Sequence, residues 1–330
     1  MKQKAPDNNV SAELVRSEGL NRKYLRQQDL RRLMHSDFSS RRAVEGLYWG
    51  RHRTRQRGQS IEFHDYRQYI PGDPLHHVDW KVYGRSDRLF IKLFEHQADL
   101  TVHLLVDGSR SMAFGGFGKN ASDTSDGDSK YDCGCRLAAA IGFLIARQRD
   151  RFSFGICQDG LQQFGRSGST MPHLLNVLDQ MESFKLKSQA GFGEAIETLL
   201  HRSKKRDFLC VFSDLLDEPN DLLDQVAIWL QRGGEAIIFH VLHDDELELP
   251  KSLKSGRFVD SESGQQIQID PPAIADDYRK TMHKFTQQWA DNFKQLGVDY
   301  NLVKVQSHFA RVLEKYFCQR TDRLSGRRRK

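Results

Sequence analysis

The apolar run Leu100-Thr101-Val102-His103-Leu104-Leu105-Val106 leads directly into Asp107-Gly108-Ser109-Arg110-Ser111. A run this short and this apolar reads as a strand buried on both faces. Such strands belong to parallel sheets covered by helices on either side. The spacing Asp-x-Ser-x-Ser at its carboxyl end brings one carboxylate and two hydroxyls to one point. These are hard oxygen donors, suited to Mg²⁺ and poor for zinc or copper. In open α/β sheets, ligands bind at that end of the strands. The same residues read equally as a turn in which Asp and Ser cap backbone N–H groups. The two readings stand side by side at this level.

Strand and helix patterns alternate after this junction. Helices are expected over 131–150, 169–183 with Ser169 or Thr170 as cap, and 193–204. Further helices are expected over 219–232, opened by proline, over 272–297, ended by Gly297, and over 308–320. Strands are expected at 151–157, 208–212, 236–242 and 300–305, with a hairpin around Glu262-Ser263-Gly264. Residues 115–129 are Gly/Ser/Asp-rich and read as an insertion. Upstream, 21–48 reads as one or two basic helices. A short strand at Ile61-Glu62-Phe63, a turn at Pro71-Gly72-Asp73-Pro74, one or two helical turns within 75–83 and a strand at 89–94 follow. The alternation predicts an α/β fold: a doubly wound, mostly parallel sheet with helices on both faces, plus an N-terminal helical/β extension.

Charge is distributed unevenly. The first 60 residues hold 14 Lys/Arg against 6 Asp/Glu, while the whole chain is only +6, so the excess belongs to this segment and to the tail Arg327-Arg328-Arg329-Lys330. A basic segment of this kind can remain solvated or meet nucleic acid, an acidic protein or an anionic lipid surface. Only Tyr24, Phe38, Tyr48 and Trp49 are available there for base stacking, which argues against nucleic acid. No apolar run reaches membrane-spanning length, and Met1 to Asp7 lack the apolar core of a signal peptide. Five cysteines form no regular framework, which fits reduced thiols. A cytoplasmic location is therefore expected.

Several motifs now combine. They are Gly58-Gln59-Ser60-Ile61-Glu62-Phe63, Arg67-Gln68-Tyr69-Ile70-Pro71-Gly72-Asp73, Val78-Asp79-Trp80-Lys81, and Asp87-Arg88-Leu89-Phe90-Ile91-Lys92 with Glu95. From about residue 40 to about residue 318 the chain resembles the domain-of-unknown-function 58 family, whose members carry a von Willebrand factor A-like domain. Asp107 to Met112 is similar to the first motif of that domain's metal-ion-dependent adhesion site, and Phe212 to Asp217 to its third. The resemblance implies a four-part layout. Residues 1–57 are a basic, partly helical extension, 58–97 a strand-and-turn segment packed on the core, 98–320 the von Willebrand factor A-like domain, and 321–330 a basic tail. It also implies Mg²⁺ held by Asp107, Ser109, Ser111 and Asp214, with a partner's carboxylate in the open coordination position. The threonine such a site takes from a further loop falls on Ala190, within Gln189-Ala190-Gly191-Phe192. Alanine has no ligand oxygen, so the site reads as degenerate unless Ser188 or water fills the gap.

Other clusters carry less. His76-His77 with Asp79 lacks a further ligand at zinc spacing. His240 and His243 with Asp244-Asp245-Glu246 read as a polar strand end. Cys133-Gly134-Cys135 is no C-x-x-C motif, and no Gly-x-Ser-x-Gly or Walker A pattern is present. Arg67, Asp73, Asp79, Trp80, Arg85, Lys92 and Glu95 read as a polar network pinning the 58–97 segment against the sheet or, functionally, as a docking surface beside the metal site. The expectation is a non-enzymatic adaptor. The resemblance implies a bacterial MoxR-type AAA+ ATPase, or its client, as the partner; binding of nucleic acid or an anionic surface through the basic segment is the alternative.

Overall fold

The computed structural model describes residues 22–26, 61–70, 78–96, 100–117, 129–187, 189–216, 219–250, 256–259 and 265–316. Most of the expected basic extension, the 71–74 turn, His76-His77, the bulk of the 115–129 insertion, Ser188, the 262–264 turn and the basic tail lie outside the described residues. Two compact units divide the chain: Ser39–Leu100, and Met1–Phe38 together with Thr101–Lys330.

In the smaller unit, β1 (Ile61–Gln68) pairs antiparallel with β2 (Phe90–His96), with a register shift between Phe63 and Asp65. Between them lies α1 (Trp80–Ser86), a few residues later than expected. Asp79 sets its start. Its carboxylate accepts hydrogen bonds from the N–H groups of Lys81 (2.9 Å) and Val82 (3.4 Å). Its own N–H donates to the Phe90 carbonyl at 2.9 Å, so one residue joins helix start to strand.

The larger unit holds the expected sheet. Its strands are β3 (Thr101–Asp107), β4 (Arg151–Cys157), β5 (Leu161–Gln162), β6 (Phe208–Ser213), β7 (Glu235–Leu242) and, after a separate hairpin, β10 (Asp299–Lys304). The hairpin is β8 (Gly256–Val259) with β9 (Gln266–Ile269). Strand order is β10-β7-β6-β3-β4-β5, with all neighbours parallel except β5, which runs antiparallel to β4. Beyond the two-residue β5, β4 also bridges Gly168: Phe152 and Gly168 exchange both N–H···O bonds at 2.9 Å.

Helices cover both faces, as the two-sided burial of β3, β6 and β7 requires. On one face lie α2 (Lys130–Arg147) and α3 (Met171–Ser183). Gly134 and Gly142 bring α2 down onto Val106, Phe212, Leu104 and Phe152. On the other face, α4 (Phe192–Arg202), α5 (Pro219–Gln231) and α7 (Pro271–Leu296) enclose a core that includes Leu105, Val211, Ile238, Trp229, Trp289 and Phe293. A one-turn helix, α6 (Asp244–Leu247), follows β7, and a last helical stretch occupies 309–316. Among the described residues no helix is long and apolar enough to cross a membrane.

One expectation fails within the larger unit. Residues 22–26, read as part of a basic helix, form a tight turn in which Arg22 and Leu25 exchange backbone hydrogen bonds. Burial decides this. Tyr24 and Leu25 are fully covered, the Tyr24 hydroxyl donates to Asp132 at 2.8 Å, and Arg22 reaches Asp179 at 2.9 Å. Arg22 thus anchors this turn to α3, and Lys23 and Tyr24 anchor it to α2 through Asp132.

Candidate functional site

The chain order reverses between β3 and β6. β4 lies on one side of β3 and β6 on the other, which opens a crevice at the strands' carboxyl ends. Asp107 ends β3, and Ser213 ends β6 directly beside it, with Asp214 the next residue. The structure therefore brings together the four side chains singled out in the sequence. Asp107 Oδ1 accepts the Ser109 N–H at 2.8 Å, and the Ser109 and Ser111 hydroxyls bond one another at 2.9 Å. Across the crevice the Ser213 hydroxyl donates to Asp107 Oδ2.

Local geometry aims these groups. A Cβ at Gly108 would stand 2.6 Å from Ile156 and 2.7 Å from Phe184, so only glycine lets the loop turn so close to β4. Arg110–Ala113 then form one turn of 3₁₀ helix. Ser109 sits at its start but makes no side-chain capping bond, so the capping reading holds only for Asp107. After β6, Leu215 adopts a left-handed backbone (φ 55°), held by its buried side chain and by its N–H to Ser213 Oγ at 2.9 Å. That turn directs the Asp214 carboxylate inward.

A residue outside the expected set sits at the centre. Lys130, the first residue of α2, is 0% exposed. Its ammonium donates to Asp214 Oδ2 at 2.7 Å and to Glu246 Oε1 at 2.6 Å, and lies 5.8 Å from the centre of the Phe114 ring. Burial pulls the Lys130 pKa down, but Asp214 and then Glu246 outweigh it and hold the group above the usual lysine range. Asp107 is pushed up to about 8, chiefly by burial and then by the Asp214 carboxylate, against the hydrogen bonds it accepts from Ser109 and Ser213.

The strand-end histidines and acids resolve as structure. His243 caps α6, accepting the Asp245 N–H at 3.1 Å, while Glu246 returns a bond to the His243 N–H at 2.9 Å. This capping box points the other Glu246 oxygen at Lys130. His240 Nε2 donates to the Asp214 carbonyl at 2.8 Å, so its Nδ1 accepts from the Tyr300 hydroxyl at 2.7 Å. Burial lowers its pKa to about 4.

The donor set departs from the Mg²⁺ coordination that the resemblance implies. Both Asp107 oxygens and both Asp214 oxygens already accept hydrogen bonds, the latter from Lys130 and from the Leu216 N–H at 3.3 Å. Ala190 is 1% exposed and packs into the apolar core that contains Cys157, Phe192 and Leu215, so it brings no oxygen. Among the described residues no group of three or more His, Cys, Asp or Glu is arranged to hold a metal ion.

At the opposite end of the sheet lies a Ser-His-Asp chain that sequence reasoning missed. His103 Nε2 donates to Asp207 at 3.0 Å, and its Nδ1 faces the Ser153 hydroxyl at 2.7 Å. All three are buried, and Trp229 and Phe164 pack against the imidazole. Asp207 also accepts the N–H groups of Thr101 (3.1 Å) and Lys204 (2.8 Å). The group pins the starts of β3 and β6 rather than presenting a nucleophile.

Comparison with protein families shows one that matches. The family described as Protein of unknown function DUF58 matches residues 65–288. Uncharacterized protein Rv1480 of Mycobacterium tuberculosis is 25% identical over 249 residues, 74% of each chain. Among solved structures, the conserved hypothetical protein BatB from Bacteroides thetaiotaomicron is 16% identical, covering 69% of this chain and 99% of that one, with a TM-score of 0.41. The SpRpn10 VWA domain is 10% identical, covering 66% and 94%, with a TM-score of 0.37.

Proposed function

Because the chain belongs to the DUF58 family of proteins of unknown function and has a von Willebrand factor A-like fold, we propose that it is a non-catalytic interaction module that docks a protein partner on the loops at the carboxyl ends of β3 and β6. The observation that carries this reading is the internal satisfaction of those loops. Asp107 bonds to Ser109 and Ser213, Ser109 bonds to Ser111, and beside them Lys130 bonds to Asp214 and Glu246. Their rim presents Leu216, 51% exposed, and the exposed Arg110. A rigid, closed polar centre beneath an exposed apolar and a cationic side chain suits recognition better than turnover.

The partner we propose is a MoxR-type AAA+ ATPase or its client, served in complex assembly or a stress response. A reducing cytoplasm suits the chain, since Cys133, Cys135, Cys157 and Cys210 are all buried and outside any disulfide. Surface-immobilised full-length protein, titrated with the purified MoxR-type ATPase of the same organism, tests the reading. Saturable binding that Leu216→Glu with Arg110→Glu weakens at least tenfold supports it. Absence of binding at tens of micromolar, with and without nucleotide, counts against this partner.

A further inference from the structure

We propose that the Lys130 ammonium, paired with Asp214, is this site's built-in cation and takes over the charge compensation that a divalent metal would supply in a von Willebrand factor A-like site, so that recognition at this face is metal-independent. The inference rests on the interaction reading for its consequence but not for its geometry.

Lys130 starts an 18-residue helix, the end at which the helix dipole disfavours a cation. A buried ammonium there persists only if anions compensate for its lost hydration. Two carboxylates do so, from different elements: Asp214 at 2.7 Å after β6 and Glu246 at 2.6 Å on α6. The ammonium thus joins the α2 start, the β6 loop and α6, which is the cross-linking a bound dication performs. The surroundings are built around it. The Lys130 N–H bonds to the Phe114 carbonyl at 3.1 Å, and Phe114 packs edge-on against His243, the α6 cap. Tyr278 holds the Glu246 carbonyl at 2.9 Å.

A dication on Asp214 would share that carboxylate with this ammonium, setting like charges near one another in a medium that screens poorly. It would also find the Ser109 and Ser111 hydroxyls paired to one another and Ala190 in the threonine position. The two features complement each other: the internal charge makes the metal superfluous, and the alanine removes the oxygen the metal would have used. A partner's carboxylate therefore has no metal to coordinate and engages the rim by hydrogen bonds and apolar contact.

The test is a titration of Mn²⁺ and Mg²⁺ into the full-length wild type, Lys130→Met, Ala190→Thr and Lys130→Met/Ala190→Thr, read by calorimetry and by thermal midpoint. The expected result is no heat of binding for the wild type or Ala190→Thr, and midpoints unmoved by millimolar metal or chelator. Lys130→Met should melt lower, and millimolar metal should raise its midpoint by about 5 °C, more so with Ala190→Thr. Saturable one-to-one Mn²⁺ binding by the wild type, lost in Asp107→Asn, overturns the proposal. So does a Lys130→Met chain as stable as wild type, or one indifferent to metal. Should that variant fail to fold, the wild-type titration decides alone. No partner is needed, so failure of ATPase capture leaves this inference standing, while capture that requires a divalent cation at this site sinks it and spares the interaction reading.

Discussion

The Ser213 hydroxyl donates to the Asp107 carboxylate, tying the last residues of two neighbouring parallel strands side chain to side chain. The same Ser213 oxygen accepts the Leu215 N–H, so one atom serves both the strand junction and the turn that aims Asp214. Ser213→Ala strips a buried carboxylate oxygen and a buried N–H of their partners at once. The expected loss is about 1–3 kcal/mol by urea unfolding. Ser213→Thr, which keeps the hydroxyl, should recover most of it.

Lys130 and Asp214 should behave as a coupled unit. Lys130→Ala leaves Asp214 buried without its cation, at an expected cost of about 3–5 kcal/mol. Adding Asp214→Asn to that variant should restore part of the loss, because the unpaired charge is then gone. A double-mutant cycle on unfolding free energies reads the coupling directly. Strict additivity would mean that the ion pair is incidental.

Acid should weaken the fold through His240. An unfolded chain takes up the proton near the ordinary pKa of 6.5, whereas the buried ring, between Tyr300 and the Asp214 carbonyl and near the Lys130 ammonium, resists it until about 4. Its contribution is complete above pH 6.5 and lost as pH falls to 4, by about 3 kcal/mol. Asp107 acts with the opposite sign: its folded-state value of about 8 favours the protonated form, so its contribution declines as pH rises toward 8. The two slopes oppose one another between pH 4 and 6.5. The measurement is therefore the difference in urea stability between wild type and His240→Asn across that range. A difference independent of pH would refute the assignment.

Gly191 should tolerate no side chain. It sits at φ 65°, and a Cβ there would stand 2.7 Å from the Gly160 backbone nitrogen. Gly191→Ala should cost more than about 1 kcal/mol, and with it the seating of Ala190 beside Leu215. Thermal unfolding of the variant checks this. A neutral substitution would mean that the loop relaxes freely.

The sheet was legible because β3, β6 and β7 are apolar on both faces, the pattern of a helix-covered parallel sheet. Helix ends were legible where a cap marks them: Thr170 accepts the His173 N–H, and Gly297 takes a left-handed backbone. The two-residue β5 and one-turn α6 were not, since each exists through pairing and capping with distant chain rather than through periodicity. The site shows the same division. Asp107, Ser109, Ser111 and Asp214 stand in local motifs. Lys130 reads alone as a solvated charge after a polar stretch, and its partners lie 84 and 116 residues away. Its one sequence-level signal was a lysine opening an apolar helix, against the helix dipole.

The outer margin of β4 has a bearing on how this protein behaves at high concentration. A parallel sheet ordinarily leaves its flank open to templated growth by another chain. Here β5 and Gly168 occupy that flank near both of its ends. An intruding strand would have to displace both before it could add, so this flank resists polymerisation through the backbone itself.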